Sequence, residues 1–185
     1  MLTVTSTAID AVKVVTPELM ADARGTFCET YNHERFAEHG IKPNFVQDNQ
    51  SVSAAIGTIR GLHFQSHPAA QAKLVRVLKG RILDVAVDLR RSSPTYGKWV
   101  AEELSAENRK QLFIPTGFAH GFCTLEVDTH VFYKVSAPYS PLNDFGVAWD
   151  DSDLAIDWPV APGKAVLSDK DSKLPAFKAL PGYFE

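Results

Sequence analysis

The chain has 185 residues, a formal charge of −3, 45% hydrophobic and 22% charged residues. That balance suits one globular domain spanning residues 1–185, long enough to bury a full core, and offers no basic face for nucleic acid. No window approaches transmembrane length and no basic segment precedes an apolar run at the N-terminus, so no membrane association and a cytoplasmic location are expected.

In chain order, short strand-like segments dominate. Val12–Val15 and 25–30 come first. Tyr31–His39 reads as the one early helix, with Asn32 as N-cap and Gly40 closing it. Phe45–Ser53 and Thr58–Gln65 follow as strands. Next comes an expected hairpin, 73–78 and 81–89 about Lys79-Gly80, in which Asp84, Ala86 and Asp88 alternate with Val85, Val87 and Leu89. Segments 98–104, Gln111–Ile114, 121–126 and Thr129–Val135 continue the series. Strands at this spacing predict a sandwich or barrel. Beyond Tyr139 the chain is loop-rich, with Pro141, Pro159, Pro162, Pro175 and Pro181, and predicts a tail with one or two short helices wrapping the barrel.

Two cysteines, Cys28 and Cys123, are too few for a disulfide framework, and without Cys-x-x-Cys spacing they make a poor zinc site. Their aromatic neighbours Phe27 and Phe122 predict buried small hydrophobes.

Chemistry concentrates in Gly61-Leu62-His63-Phe64-Gln65, Lys73 and the block from Pro115 to Phe122 that contains His120. Imidazoles and an ammonium among apolar strands are costly unless they have a partner or a task. A base near neutral pH and a cation beside a carbonyl oxygen is the kit for carbon-acid chemistry. Each residue also has an ordinary reading: Lys73 as a solvated edge charge, Tyr133 as a core aromatic, Asp171 as a turn or cap, Asp84 as a solvent-facing strand residue. Alternation puts Tyr133 on one face with Thr129, Val131 and Val135, and a hairpin from a strand starting at His120 would bring that imidazole near it. Arg60 and His63, three apart, point oppositely on a regular strand. Both reach one pocket only if Gly61 kinks or bulges the chain.

Pro115-x-Gly117-x-x-His120 is similar to the second half of the cupin signature, whose His binds metal in many members. Gln65 stands where the first half would place its second His, and no Glu lies between His63 and Gly80. Two separated imidazoles are a thin shell for zinc, iron or manganese, so no metal is expected. No Gly-x-Gly-x-x-Gly motif follows a strand, which argues against a built-in nicotinamide site.

Nearly end to end, the chain resembles the dTDP-4-dehydrorhamnose 3,5-epimerase family. The likeness is carried by the segments 22–27, 47–51, 59–65, 71–75, 84–90, 93–97, 115–122, Tyr133-Lys134, 149–151 and 167–171. It implies an all-β, cupin-like double-stranded β-helix (a jelly-roll barrel) with a few short peripheral helices. It implies epimerisation at carbons 3 and 5 of dTDP-4-dehydro-6-deoxyglucose, without cofactor. His63 matches the base, Asp171 the carboxylate that orients it, Lys73 the cation beside the carbonyl oxygen, and Tyr133 the acid on the opposite face. Arg24, Gln47, Asn49, Arg60, His120 and Lys170 match positions that hold diphosphate, nucleoside or sugar. Phe27 and Glu29 match contributions from an N-terminal strand, often the partner subunit's, so the implied assembly is a homodimer with N-terminal strand exchange. Tyr139 matches an aromatic stacked on thymine. Asp84, inside an apolar strand, is expected to support the His and Lys shell, and its reading as a solvent-facing strand residue has similar weight. Asp144 stands where the family pattern has Glu in the nucleotide-contacting loop. Three rivals remain beside this reading: a relative acting at one carbon, a metal-dependent cupin, and a sugar-nucleotide-binding module without catalysis.

Overall fold

The computed structural model describes residues 2–161 and 163–185. In chain order its strands are β1 (Leu2–Ser6), β2 (Lys13–Pro17), β3 (Met20–Asp22), β4 (Gly25–Phe27), β5 (Gln47–Ser53), β6 (Ile59–Gln65), β7 (Lys73–Lys79), β8 (Arg81–Asp88), β9 (Trp99–Ser105), β10 (Gln111–Ile114), β11 (Phe118–Thr124), β12 (Thr129–Val135) and β13 (Asp144–Gly146). A single α-helix among the described residues, α1 (His33–Glu38), lies between β4 and β5, and three short 3₁₀ turns follow β12. Helix α1 begins where the sequence expects: the Asn32 side chain accepts a hydrogen bond from the Arg35 N–H at 3.2 Å. Gly40, at a φ of +81°, takes the chain out of it.

Two antiparallel sheets form the barrel, ordered β1-β2-β10-β7-β12-β5 and β13-β6-β11-β8-β9. Hydrophobic burial explains the layering. Inward residues of both sheets (Val75, Val77 and Val131 from one, Ile82, Ala86 and Phe122 from the other) share one core. The outward face of the five-stranded sheet, with Val85, Val87 and Leu89, packs under the tail residues Leu154, Trp158 and Phe184. Outside the six-stranded sheet, Phe36 and Ile41 cover Leu74 and Phe113. The all-β, cupin-like architecture is as the sequence predicts.

Two expected pairings differ. Residues 73–79 and 81–88 are strands, but not a hairpin: β7 pairs with β10 and β12, and β8 with β11 and β9. Gly80, at φ +79°, turns the chain from one sheet to the other, tight against Thr129. Likewise β11 and β12 lie in opposite sheets, so His120 and Tyr133 meet across the barrel rather than along a ladder. A tight turn signal marks a reversal of direction; it does not say whether the strands pair or face each other.

Candidate functional site

Strand parity aims a polar set into one end of the barrel. On β7, Lys73 shares the inward face with Val75 and Val77, and on β12 Tyr133 shares it with Val131. On β5, Gln47, Asn49, Ser51 and Ser53 alternate inward against exposed Asp48, Gln50 and Val52. On β6 the alternation breaks. Pairing of His120 with His63 and of Phe122 with Arg60 sets two residue steps of β11 against three of β6, a bulge centred on Gly61. Gly61 holds a φ of +129°, and a Cβ there would stand 2.5 Å from Gly121 Cα. Only glycine fits, and the extra residue turns Arg60 and His63 to the same side, as their spacing demands.

The result is a cavity of about 440 Å³ lined by Arg60, His63, Lys73, His120, Tyr133, Lys170 and Asp171, together with Ser51, Phe122 and Ser168. A smaller lobe of about 170 Å³ shares His63, Lys73, Tyr133 and Lys170 and adds Gln47, Asn49, Tyr139 and Asp144. Eleven of the fourteen residues picked out in the sequence therefore converge. Arg24, Phe27 and Glu29 do not. Phe27 sits on the separate two-stranded sheet β3–β4, all six residues of which are exposed, and Arg24, in the turn between those strands, is exposed and paired with Asp22. The Glu29 carboxylate is bonded to Arg35 at 3.1 Å within its own chain.

Two imidazole–carboxylate pairs lie on adjacent strands. His63 Nε2 is 2.6 Å from Asp171 Oδ1, and Asp171 Oδ2 also accepts the Gly61 N–H at 3.3 Å. His120 Nε2 is 2.7 Å from Asp84 Oδ1, with Asp84 wholly buried. A carboxylate only accepts, so each Nε2 carries its proton toward Asp, and in the neutral imidazole the lone pair is then on Nδ1. Burial alone would raise the Asp171 carboxyl, yet the hydrogen bond and charge of His63 outweigh it and hold Asp171 below the ordinary carboxylate range. Burial pushes the His120 imidazole down; Asp84 opposes this, and Lys73 and His63 add to it.

Lys73 is no edge charge. It is 8% exposed, and its ammonium donates to the His63 carbonyl at 3.3 Å. Burial lowers its pKa from 10.5 to about 8, against the pull of Asp84 and Asp144. The Tyr133 phenol is pushed up, first by burial and further by Asp144, while Arg60 opposes; it therefore stays protonated at neutral pH. Arg60 is anchored through Ser53 Oγ and the Val52 carbonyl, both at 3.1 Å. At the mouth, Asp144 accepts from Lys170 at 2.5 Å and from the Tyr139 hydroxyl at 2.9 Å. The shorter side chain at this position thus bridges the two loops that flank the cavity.

Gln65, at the position of a cupin ligand, donates to the Ala69 and Pro138 carbonyls and accepts the Ser140 N–H, bracing the loop that carries Tyr139. Among the described residues no group of three or more His, Cys, Asp or Glu is placed to hold a metal ion. Cys123 is buried, its thiol pushed up to about 11 by that burial, whereas Cys28 is only partly covered. Ser51 escaped the sequence reading. Its Oγ is buried without a hydrogen-bond partner among the described residues, and the alternation Gln47, Asn49, Ser51, Ser53 was the signal that pointed to it.

Fold and site together define a cupin-type barrel whose cavity is equipped for proton transfer. The chain belongs to the dTDP-4-dehydrorhamnose 3,5-epimerase family, whose model matches residues 6–179. It is 51% identical over 180 residues to the dTDP-4-dehydrorhamnose 3,5-epimerase of Sinorhizobium fredii, covering 97% of this chain and 92% of that one. The crystal structure of the Bacillus anthracis enzyme with TDP and pyrophosphate bound is similar, with a TM-score of 0.92 and 50% identity over 95% of this chain and 99% of the other. So is the Legionella pneumophila dTDP-6-deoxy-D-glucose-3,5-epimerase in complex with dTDP-4-keto-L-rhamnose, with a TM-score of 0.93 and 42% identity over 98% and 95%.

Proposed function

We propose that this chain epimerises carbons 3 and 5 of dTDP-4-dehydro-6-deoxy-D-glucose, giving dTDP-4-dehydro-L-rhamnose. The observation that carries the reading is a base and an acid on opposite sheets of one cavity. His63, hydrogen-bonded to buried Asp171, stands on β6, and proton-bearing Tyr133 stands on β12 with buried Lys73 beside it on β7.

The ketone at carbon 4 acidifies the hydrogens on its neighbours. His63 Nδ1 takes one of them, the C–H electron pair moves into the enolate, and Asp171 stabilises the imidazolium. Negative charge develops on the carbonyl oxygen, where the Lys73 ammonium is held in advance; such stabilisation is usually a large contribution. Tyr133 then delivers its phenolic proton to the carbon from the other face; solvent returns a proton to the phenolate and takes the one held by His63. Inversion needs this second group, because a base that returns its own proton restores the starting configuration. The same cycle serves both carbons. Arg60 and Lys170 bind the diphosphate, Gln47, Asn49 and His120 hold sugar or nucleoside, and Tyr139 with Asp144 lies at the nucleotide end.

We read residues 1–185 as one domain acting as a homodimer in the cytoplasm. The exposed β3–β4 hairpin supports the assembly, since Phe27 is 66% and Met20 55% exposed. Exchange of this segment would bring Arg24, Phe27 and Glu29 to the partner's cavity, which their own chain does not do. Light scattering showing only monomer at assay concentration overturns this part.

Proton NMR of the substrate with enzyme in heavy water tests the reaction. Deuterium at both carbons with formation of the L-configured product is the expected result. Exchange at one carbon identifies a single-site epimerase, and exchange at neither removes the assignment.

A further inference from the structure

Asp84 is the most deeply buried charge near the cavity, and the reaction just described does not use it. It lies on β8 between inward-facing Ile82 and Ala86, wholly inaccessible to solvent. One carboxylate oxygen, Oδ1, is 2.7 Å from His120 Nε2. The other, Oδ2, is buried and has no hydrogen-bond partner among the described residues. A carboxylate half satisfied in a dry interior is expensive, so its retention calls for an explanation in function. The nearby cation supplies one. Lys73 is buried on β7, in the facing sheet, and Asp84 is the foremost of the charges that keep its ammonium protonated.

Resting on the epimerase reading, we propose that Asp84 is a positioning residue with two duties. Through Oδ1 it fixes His120 with the proton on Nε2, so that Nδ1 meets the sugar as an acceptor for a hydroxyl. With its charge buried on β8, in the sheet that faces β7, it supplies the countercharge that keeps Lys73 an ammonium while enolate charge develops. His120 pairs with His63 across β11 and β6, so an imidazole free to turn or to take up a second proton would place a donor or a positive charge beside the base. A carboxylate beneath it fixes both choices before the substrate arrives.

The groups that face this pair come from every neighbouring element. Around His120 they are Asp84 on β8, Lys73 on β7 and His63 on β6. Around Lys73 they are Asp84, Asp144 on β13 and Lys170 on the tail. Tyr133 on β12 and Arg60 on β6 complete the charged or titratable wall.

The test compares wild type with Asp84→Asn, which keeps shape and removes charge. Nitrogen NMR of ¹⁵N-labelled, ligand-free wild type is expected to show His120 protonated at Nε2 alone. In Asp84→Asn that tautomer is lost or mixed, and the Lys73 ammonium, followed through its ¹³C-labelled side chain, titrates at a pH lower by about one unit. In turnover, kcat falls about ten- to a hundred-fold, KM rises about a few-fold with loss of the His120 acceptor, and the alkaline limb of the kcat profile moves to lower pH. A merely structural carboxylate would lower folded yield without moving that limb. Protonation of His120 at Nδ1 in wild type overturns the first duty, and an unmoved Lys73 titration the second. If the variant does not fold, the wild-type tautomer still decides the first duty, and Asp84→Glu, which keeps the charge, decides the second by retaining the wild-type alkaline limb or losing it. Absence of exchange by wild type refutes the epimerase reading instead, and both NMR readouts, taken without substrate, remain to judge Asp84.

Discussion

Replacing Lys73 with Met should make the protein more stable and the enzyme nearly inactive. Lys73 is 8% exposed, and among the described residues its ammonium has one hydrogen bond, of 3.3 Å, to the His63 carbonyl. Its pKa falls from 10.5 to about 8, which corresponds to about 3 kcal/mol of penalty on the charged, folded form. That penalty is carried by the folded state below about pH 8. It shrinks as the folded protein sheds the proton and is gone above pH 10.5, where the unfolded chain is neutral as well. Methionine fills a similar volume without charge. That figure is already net of the attraction of Asp84 and Asp144, and loss of the hydrogen bond to the His63 carbonyl makes the gain smaller than the full penalty. Urea unfolding followed by tryptophan fluorescence at pH 7, 9 and 10.5 measures it. The variant is expected to exceed wild type by one to about 3 kcal/mol at pH 7, with the gap closing at higher pH. Its kcat should drop about a hundred- to a thousand-fold from loss of the charge at the enolate oxygen. A variant that is less stable at pH 7, or a gap that does not change with pH, refutes the reasoning.

His63→Ala should abolish deuterium exchange while dTDP affinity, measured calorimetrically, stays within a few-fold of wild type; retained exchange reassigns the base. Tyr133→Phe is expected to slow formation of the L-configured product about a hundred- to ten-thousand-fold with a small change in KM, and wild-type turnover would remove Tyr133 from the mechanism. Gly61→Ala forces a side chain into a φ of +129° and within 2.5 Å of Gly121. It should lose at least about 2 kcal/mol in chemical denaturation, and exchange at the sugar carbons should fall with the loss of the bulge that turns His63 and Arg60 together. Wild-type stability with wild-type exchange contradicts that role.

Much of this arrangement was legible because strands write their faces into the sequence with period two. The alternation in 81–88 and 129–135 gave both the strands and the inward direction of Tyr133. The three-residue spacing of Arg60 and His63, read with the intervening glycine, predicted the bulge that the β6–β11 register shows. Pairing was less accessible. Gly80 looks like a hairpin turn, yet its strands join different sheets, because β7 finds its partners in β10 and β12 and β8 finds its own in β9 and β11, all later in the chain. Asp84 was ambiguous for a related reason. An Asp in an alternating strand looks solvent-facing unless both faces are covered, and here the cover comes from the opposite sheet within and from Leu154 and Trp158 without. The standing of Arg24, Phe27 and Glu29 depends on a second chain, which one chain's pattern cannot express.

The same parity that builds the core also builds the site, and this explains how the polar set is held. On β7 the inward series runs Lys73, Val75, Val77; on β8 it runs Ile82, Asp84, Ala86; on β11, Phe118, His120, Phe122; on β12, Val131 then Tyr133. Each strand passes from apolar packing to chemistry in a single two-residue step. The side chains that matter are therefore mounted on backbone whose neighbouring inward positions are locked by close-packed Val, Ile and Phe, where a shift of one residue would reverse every face. Where the strand period could not supply the geometry, at Arg60 and His63, one glycine bulge corrects it, and Asp171 reaches in from the tail to bond both the His63 imidazole and the Gly61 backbone. That one carboxylate ties the base to the bulge that aims it, so the tail fixes the position of the imidazole as well as its protonation.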